Sequence, residues 1–196
     1  MNGRGSAKKS ATSERPGLAE QTKGGGPGDD NAFWRFSLDV YAQPGVADEC
    51  LALQDALDID VNILLFCAWL GTRAIALGAE DIMAAEDAVA RWRDNVVKPL
   101  RRARRQTKAL TRDEAFRTSI KDVELRAEQI EQAMLFAAAS ALGGSVAADR
   151  ADAVARNVRG YIALKSAAAA GKAFSAERLI GASLSLTSSA PNPYRG

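Results

Sequence analysis

The stretch VNILLFCAWL at residues 61–70 decides the fold, and its apolar character continues to Leu77. On a helical wheel its apolar side chains point almost all round, and one narrow polar strip carries Asn62 and Arg73. Such a helix is typical of one enclosed by other helices. Small residues share another side, along which a neighbouring helix can approach closely: Cys67, Gly71, Ala74 and Gly78.

Amphipathic segments lie on both sides of this central helix along the chain. Asn31 is a suitable N-cap for a short helix through Ala42, and the next helix covers 45–57. Asp60 is the predicted N-cap of the central helix. After Gly78 comes a long amphipathic stretch from Glu80 to about Ala109.

Two local signals divide the second half of the chain. Pro99 lies inside the long amphipathic stretch, which predicts a kink or a helix restart near Val97. Thr111-Arg112-Asp113-Glu114 has the form of a capping box and predicts a new helix that runs to Leu142. An apolar period predicts which face of that helix is buried, and it comprises Phe116, Ile120, Val123, Ala127, Ile130, Met134, Ala138 and Ala141.

These patterns predict an all-α fold, a compact bundle of five to six helices with a central buried helix and a long helical hairpin. The helical domain spans 31–170. Residues 1–30 are rich in Gly, Ser, Lys and Pro and are predicted to form a disordered N-terminal arm. Residues 171–196 are predicted to be a weakly structured C-terminal tail, with a weak helical turn over 175–186 capped by Ser175.

Composition excludes several chemistries. The 196 residues include no histidine, which removes Ser-His-Asp and Cys-His catalysis and every zinc site that needs a histidine ligand. Cys50 and Cys67 are interpreted as reduced core thiols. The carboxylates of 58–60 and 86–87 are interpreted as helix caps and surface ion-pair partners, for example Asp87 with Arg91. No enzyme activity, metal or cofactor is predicted.

The N-terminus and the central stretch of the sequence indicate where in the cell the protein is located. The basic N-terminus has no apolar segment behind it and does not have the form of a secretory signal peptide. Asn62, Thr72 and Arg73 interrupt the central stretch, which favours a buried helix over a membrane span. We therefore predict a cytoplasmic protein with no membrane insertion. The sequence leaves the oligomeric state open, because the wide apolar surface of the 31–42 helix suits a dimer interface as well as a core.

The clearest charge asymmetry is a basic run between Arg91 and Arg112, where nine Lys and Arg residues face Asp94 alone. On the wheel these cations lie opposite the stripe of Trp92, Val96 and Leu100 and are predicted to form a continuous basic surface. The predicted binding residues are Arg91, Lys98, Arg101, Arg102, Arg104, Arg105, Lys108 and Arg112.

Three functions remain open for these residues and the central helix. The preferred hypothesis is a non-enzymatic interaction or regulatory module that presents the basic helix face to an acidic protein partner. The second is nonspecific nucleic-acid binding by the same cations. Alternatively, the acids of 48–60 and 113–131 neutralise the face within the fold.

The third hypothesis concerns the polar strip of the central helix. A half-buried Arg73 needs a partner, and Asp39, Glu49 or Asp55 could supply a structural ion pair. Otherwise the strip of Asn62, Trp69 and Arg73 is the centre of a small anionic ligand site or an enzyme site, with Trp69 as the floor of the pocket.

The order of several short motifs resembles a known family. These are Phe33-Trp34-Arg35-Phe36-Ser37-Leu38, the Asn-led apolar helix at 61–70, and Trp92-Arg93 followed by Val96-Val97-Lys98-Pro99-Leu100-Arg101. Over roughly 31–135 the chain resembles an uncharacterised, mainly proteobacterial family of small proteins, a domain of unknown function. The resemblance implies a small, all-helical, cytosolic protein and supplies no activity, ligand or catalytic residue.

Overall fold

The structure is a computed structural model that describes residues 30–167 and 173–189. The described residues confirm the all-α prediction and contain eight α-helices. Helices α4 and α5 are joined by a π-helical turn and form one continuous helical segment. The predicted disordered arm lies outside the described residues, apart from Asp30. The helices are α1 Ala32–Tyr41, α2 Val46–Leu57, α3 Val61–Thr72, α4 Ala79–Trp92, α5 Lys98–Leu110, α6 Glu114–Ala138, α7 Arg150–Ser166 and α8 Glu177–Ser189.

Short elements complete the described chain. A π-helical turn covers Arg93–Val97, and a 3-10 turn at Ala139–Ala141 directly follows α6. Two-residue strands β1 (Ile75–Ala76) and β2 (Ser145–Val146) pair antiparallel, with Ile75 opposite Val146. In the described segments, no helix combines the length and apolar character needed to cross a membrane.

The central helix α3 is buried from Asn62 to Thr72, which confirms the interpretation of its apolar pattern. Its predicted N-cap is also confirmed, since the Asp60 carboxylate accepts a hydrogen bond of 2.9 Å from the backbone N–H of Asn62. At the start of α1, Asn31 caps in the same way and accepts from the N–H groups of Phe33 and Trp34. The sequence therefore sets where both helices begin.

The small-residue side of α3 packs against α7. A Cβ added at Gly71 would lie 2.5 Å from the Cα of Val154, so the two backbones are in direct contact there. Beside this contact, the buried Asn157 side chain donates to the carbonyls of Cys67 and Ile75 and accepts from the N–H of Leu77. The predicted close approach is confirmed, with α7 as the neighbour.

The predicted hairpin consists of α4 and α5 on one side and α6 on the other. Its restart is confirmed: the π-helical turn ends where Lys98 donates its N–H to the Arg93 carbonyl, and Pro99 follows in the first turn of α5. The predicted cap of α6 was wrong by two residues. Asp113, not Thr111, accepts from the N–H of Phe116, at 2.9 Å.

The predicted buried face of α6 is confirmed only in part, at Ala127. Phe116 and Val123 are about half exposed, whereas Glu124, Ala127, Glu131, Gln132 and Leu135 are buried. At 100° per residue, the buried face is rotated by roughly a quarter turn from the apolar stripe. The rotation brings Glu124 and Glu128 of α6 against Arg101 and Arg104 of α5, and these ion pairs were not part of the apolar pattern.

The C-terminal segment differs from the predicted weakly structured tail where the structure describes it. Helix α8 packs against α1, α2, α3 and α7. Ala176 and Leu179 are fully buried, and the Glu49 carboxylate accepts from the N–H groups of Arg178 and Leu179 at the start of the helix. Glu49 therefore stabilises the N-terminus of α8, the role that was predicted for Ser175.

Candidate functional site

The predicted basic face is divided, because part of it is paired with carboxylates of the same chain. Arg101 donates to Glu128 at 3.0 Å and lies 3.6 Å from Glu124, and Arg104 forms a second ion pair with Glu124. Burial opposes the charge of Arg101, but Glu128 and the other nearby carboxylates outweigh it and raise its pKa. These two arginines are structural partners of α6.

Two further cations pair with the acidic end of α2. Lys98 lies 3.2 Å from Asp58, and Arg105 donates to Asp55 at 2.9 Å. Both pairs are largely exposed to water, where an ion pair contributes little stability. Between α2 and α5 lies an open cleft of about 490 Å³, here called the basic cleft, lined by Gln54, Asp55, Asp58, Lys98, Arg101, Arg102, Arg105 and Gln106.

The remaining predicted cations form no ion pair within the described residues. All four are exposed: Arg91, Arg102, Lys108 and Arg112. Arg91 lies in α4, far along the chain from the other three. In the described residues Arg91 does not form the predicted ion pair with Asp87. Lys108 and Arg112 lie where α5 turns into α6, and Arg102 lies two turns earlier.

Large apolar side chains are exposed near the same turn. We call residues 108–123 the hairpin tip. Leu110 is 82% exposed, Phe116 is 49% exposed and Val123 is 52% exposed. A contiguous patch of exposed apolar side chains with a polar rim is typical of an interaction surface.

The predicted strip of Asn62, Trp69 and Arg73 does not form one site. Arg73 is the exposed C-cap of α3, and its guanidinium lies 4.7 Å from the centre of the Trp69 ring. Asn62 lies in the first turn of the same helix, about 16 Å away at 1.5 Å per residue. None of the predicted carboxylates pairs with Arg73 among the described residues, so a cation–π contact replaces the expected ion pair.

Asn62 instead belongs to a buried hydrogen-bond chain. Its side-chain N–H donates to Glu131 at 2.7 Å, and its carbonyl oxygen accepts from Gln132 at 2.9 Å. Burial, and then the neighbouring Asp60 carboxylate, raise the pKa of Glu131 to about 9. At neutral pH Glu131 is therefore protonated and donates to Asp60, which makes it a neutral member of this chain of polar groups.

A second polar cluster lies behind Asp60. The buried Tyr161 hydroxyl accepts from the N–H of Asp60 at 3.1 Å and donates to Glu86 at 3.2 Å. Lys165 forms an ion pair with Glu86, and Arg93 lies 3.8 Å from Glu86 and 3.9 Å from Asp60. The interpretation of 58–60 and 86–87 as caps and surface acids was thus incomplete, since Asp60 caps α3 but is buried.

Beside the Asn62 chain lies an inner cavity, bounded by α1, α2, α3, α5 and α6. Its volume is about 30 Å³ on the measure that gives about 490 Å³ for the basic cleft, so it is a small cavity. The polar residues that line it include Trp34, Ser37, Gln54, Asn62, Arg101 and Gln132. Gln54 and Arg101 also line the basic cleft, so the two spaces are neighbours.

Three lining residues of the inner cavity carry buried polar atoms without a hydrogen-bond partner in the described chain. They are Trp34 Nε1, Ser37 Oγ and Gln132 Oε1. Each such atom costs about 1–3 kcal/mol of folding free energy unless another molecule pairs it. Sequence reasoning did not select these residues. A weak signal existed in Ser37, a polar residue within the aromatic stripes of α1.

Comparison with known families gives one result. The model of a family described as a protein of unknown function, DUF2390, matches residues 32–135. The chain belongs to the DUF2390 family. This confirms the resemblance to a domain of unknown function, while the proteobacterial origin stays a prediction. No curated protein and no solved structure matches the chain.

The DUF2390 match covers α1 to α5 and α6 as far as Leu135. Both the hairpin tip and every lining residue of the inner cavity therefore lie inside the family region. Helices α7 and α8 lie outside it, although they cover much of α3.

Proposed function

We propose that this DUF2390 protein is a non-enzymatic interaction module, and that its hairpin tip binds an acidic, partly apolar segment of a partner protein. In this role it regulates the partner by binding. The observation that carries the proposal is the presence of Leu110, Phe116 and Val123, all exposed, on the same tip as Lys108 and Arg112, which form no ion pair in the described chain.

The two kinds of side chain have separate tasks. Burial of apolar area against a partner supplies most of the affinity of an interface, at about 25 cal/mol per Å² before the costs of association. Cations at the rim raise the association rate with an acidic partner and select against basic ones. An acidic segment with apolar anchors matches both features of the tip.

The paired cations contribute less to this surface. Arg101 and Arg104 would have to leave the buried Glu124 to reach a partner, and breaking a buried ion pair is costly. Of the predicted basic face, we therefore propose that Arg102, Lys108 and Arg112 contact the partner. Arg105 and Lys98 remain available at the edge, because their pairs with Asp55 and Asp58 are exposed.

Site-specific photo-crosslinking tests the proposal. A photoreactive residue replaces Leu110 in the full chain, which is expressed in cells that naturally contain it. We expect a covalent adduct with an acidic protein, and at least a tenfold loss of it when Lys108 and Arg112 become Glu. The control is the same photoreactive residue at Leu164, which is 39% exposed on α7 and lies far from the tip along the chain.

Two outcomes contradict the proposal. An adduct that is equally strong at Leu164, or that joins two copies of this chain, removes the acidic partner. The nucleic-acid alternative is tested by fluorescence anisotropy with generic double- and single-stranded oligonucleotides at low and near-physiological salt. Binding that weakens steeply with salt and requires Lys108 and Arg112 replaces the protein partner with nucleic acid.

A further inference from the structure

The basic cleft concentrates positive charge on one face of α5. Its four cations lie at positions i, i+3, i+4 and i+7 of the helix and therefore share one side of it; they are Lys98, Arg101, Arg102 and Arg105. Two pairs of them are four residues apart, and like charges at that spacing destabilise a helix. Helix α5 has no buried residue, so core packing does not account for these side chains. An anion bound in the cleft would offset their repulsion.

The carboxylates that line the cleft leave part of this charge available. The side chains of Asp55 and Asp58 are 64% and 82% exposed, and each pairs with a cation at one end of the cleft. Those two cations, Lys98 and Arg105, are seven residues apart, about 10 Å along the helix at 1.5 Å per residue. Arg102 lies between them in the sequence, is exposed and forms no ion pair within the described residues. The cleft thus combines one unpaired cation with two whose ion pairs are open to water.

A buried amide in the same cleft also lacks a partner. Gln54 is only 8% exposed, and its side chain forms no hydrogen bond within residues 30–167 and 173–189. Buried polar groups in proteins are nearly always paired. The amide of Gln54 is not sealed from solvent, in contrast to the unpartnered atoms of Trp34 and Gln132, so a molecule in the cleft can reach it. Its NH₂ group can donate to an anion.

These donors suit a phosphate group better than a carboxylate. A guanidinium presents parallel N–H donors in a fixed fork, and phosphate oxygens accept such pairs. A phosphate has further oxygens for an ammonium and an amide, whereas a carboxylate has only two oxygens in all. The volume of the cleft, about 490 Å³, is within the range of sites for small ligands.

We propose that the basic cleft is a binding site for a small soluble organic phosphate, whose phosphate oxygens accept from Lys98, Arg102, Arg105 and the Gln54 amide. The ligand displaces the two aspartates from their cations, which costs little because both ion pairs are exposed.

This site goes beyond the proposed binding of a partner protein. The cleft shares Arg102 with the surface proposed for the partner, but Leu110, Lys108 and Arg112 do not line it. Loss of crosslinking at the hairpin tip and loss of phosphate binding in the cleft are therefore separate results, and either proposal can fail without the other.

Nuclear magnetic resonance of the ¹⁵N-labelled full chain, titrated with inorganic pyrophosphate at low ionic strength, tests the site. We expect the side-chain NH₂ signals of Gln54 to shift saturably, with a dissociation constant of roughly 0.1–1 mM for an ion of this size. Gln43 is the internal control, because its side chain donates to the Asp39 carbonyl at 3.2 Å and does not line the cleft. Its signals should stay in place. Gln54→Met has nearly the same shape, identifies the Gln54 signals and should weaken binding about fivefold by calorimetry.

Charge variants distinguish a phosphate site from a merely structural cluster. Arg102→Gln should weaken pyrophosphate binding at least tenfold by loss of a charged donor, whereas Arg91→Gln, at an exposed arginine of α4 outside the cleft, should change nothing. Asp55→Asn should tighten binding about threefold, because it removes the carboxylate that competes for Arg105. An aspartate with only a structural role would not have this effect.

Three results would overturn the proposal. The first is a set of Gln54 signals that does not respond to saturating pyrophosphate in the wild-type chain. The second is sulfate binding as tight as pyrophosphate binding, which would show a general affinity for anions. The third is a duplex oligonucleotide that displaces pyrophosphate and requires Lys108, since the phosphate contacts would then extend along the hairpin beyond the cleft.

Discussion

Helix α7 covers one side of α3 and α6 covers another, and the two contacts differ in what they leave between the helices. On the α7 side, Gly71 brings the backbones together and the Asn157 side chain pairs with three backbone groups. On the α6 side, Asn62, Glu131 and Gln132 form a polar chain that ends beside the inner cavity. The α7 side is tightly packed, whereas the α6 side retains a small cavity and polar atoms without a partner in the described chain.

The difference predicts how each side responds to substitution. At Gly71 the α7 side has no room for an additional atom, so changes there should act on stability. The α6 side lies next to a cavity with an open mouth, so water can replace some lost contacts and changes there should cost less stability.

The largest expected effect is at Gly71. Gly71→Ala places a Cβ 2.5 Å from the Cα of Val154, and backbone must move to accommodate it. We expect a loss of roughly 3 kcal/mol in the free energy of unfolding, measured by urea denaturation. Gly160→Ala on α7 is the control, because its Cβ meets only the side chain of Ile82 at an ordinary 3.5 Å. Unfolding of Gly71→Ala at the wild-type urea midpoint would contradict the close contact.

A matched pair of asparagines gives the next largest effect. Asn157→Ala removes the side-chain partner of the Leu77 N–H and of two carbonyls and should cost about 2–3 kcal/mol. Asn62→Ala removes two bonds beside the inner cavity and should cost about 1–2 kcal/mol, since water can enter. Equal losses measured by denaturation would show that the two sides of α3 do not differ.

The pH dependence of the free energy of unfolding tests the α6 side alone, through the carboxyl group of Glu131. The folded pKa of Glu131, about 9, lies above its ordinary value of 4.5, so the folded state holds a proton that the unfolded state releases. The stabilisation from Glu131 is complete below about pH 4.5 and is lost as the pH rises toward 9, by at most about 1.4 kcal/mol per pH unit.

Glu131→Gln should flatten this decline, because the amide donates to Asp60 at every pH. The measurement is urea denaturation at intervals between pH 5 and 8.5, and the chain has no histidine that titrates in this range. Glu114→Gln at the exposed start of α6 should keep the wild-type slope. Identical slopes for wild type and Glu131→Gln would mean that Glu131 is ionised in the fold.

The smallest effect belongs to the rim of the basic cleft. Asp55→Asn breaks the pair with Arg105, whose two side chains are 64% and 54% exposed. We expect a change within about 0.5 kcal/mol in thermal or urea unfolding, because water and salt screen such pairs. A loss above 1 kcal/mol would show that α2 and α5 are held together at this cleft, and the cleft would then belong to the structural core.

Features with a local cause were predictable from the sequence. The enclosure of α3, the caps at Asn31 and Asp60, the close approach at Gly71 and the break before Pro99 each depend on a few adjacent residues, and the structure confirms them. Helix α8 was underestimated because its stability comes from burial of Leu179 against other helices, which its weak local pattern does not show.

The orientation of α6 was not predictable in this way. The apolar stripe at Phe116 and Val123 is the cleaner periodic signal, but Glu124 of α6 is buried against Arg101 and Arg104. An ion pair between two helices depends on their rotation and register, and neither is encoded in the period of one helix.

The sequence by itself determined the all-α fold, the central helix, the family and the chemistry excluded by the absence of histidine. Composition, periodicity and caps act over short stretches, so they can be interpreted without coordinates. Only the tertiary structure decided which cations are paired, that Asn62 and Arg73 are separate, and that Trp34, Ser37 and Gln132 share a cavity. Those facts depend on distances between residues up to about a hundred positions apart, which packing alone sets.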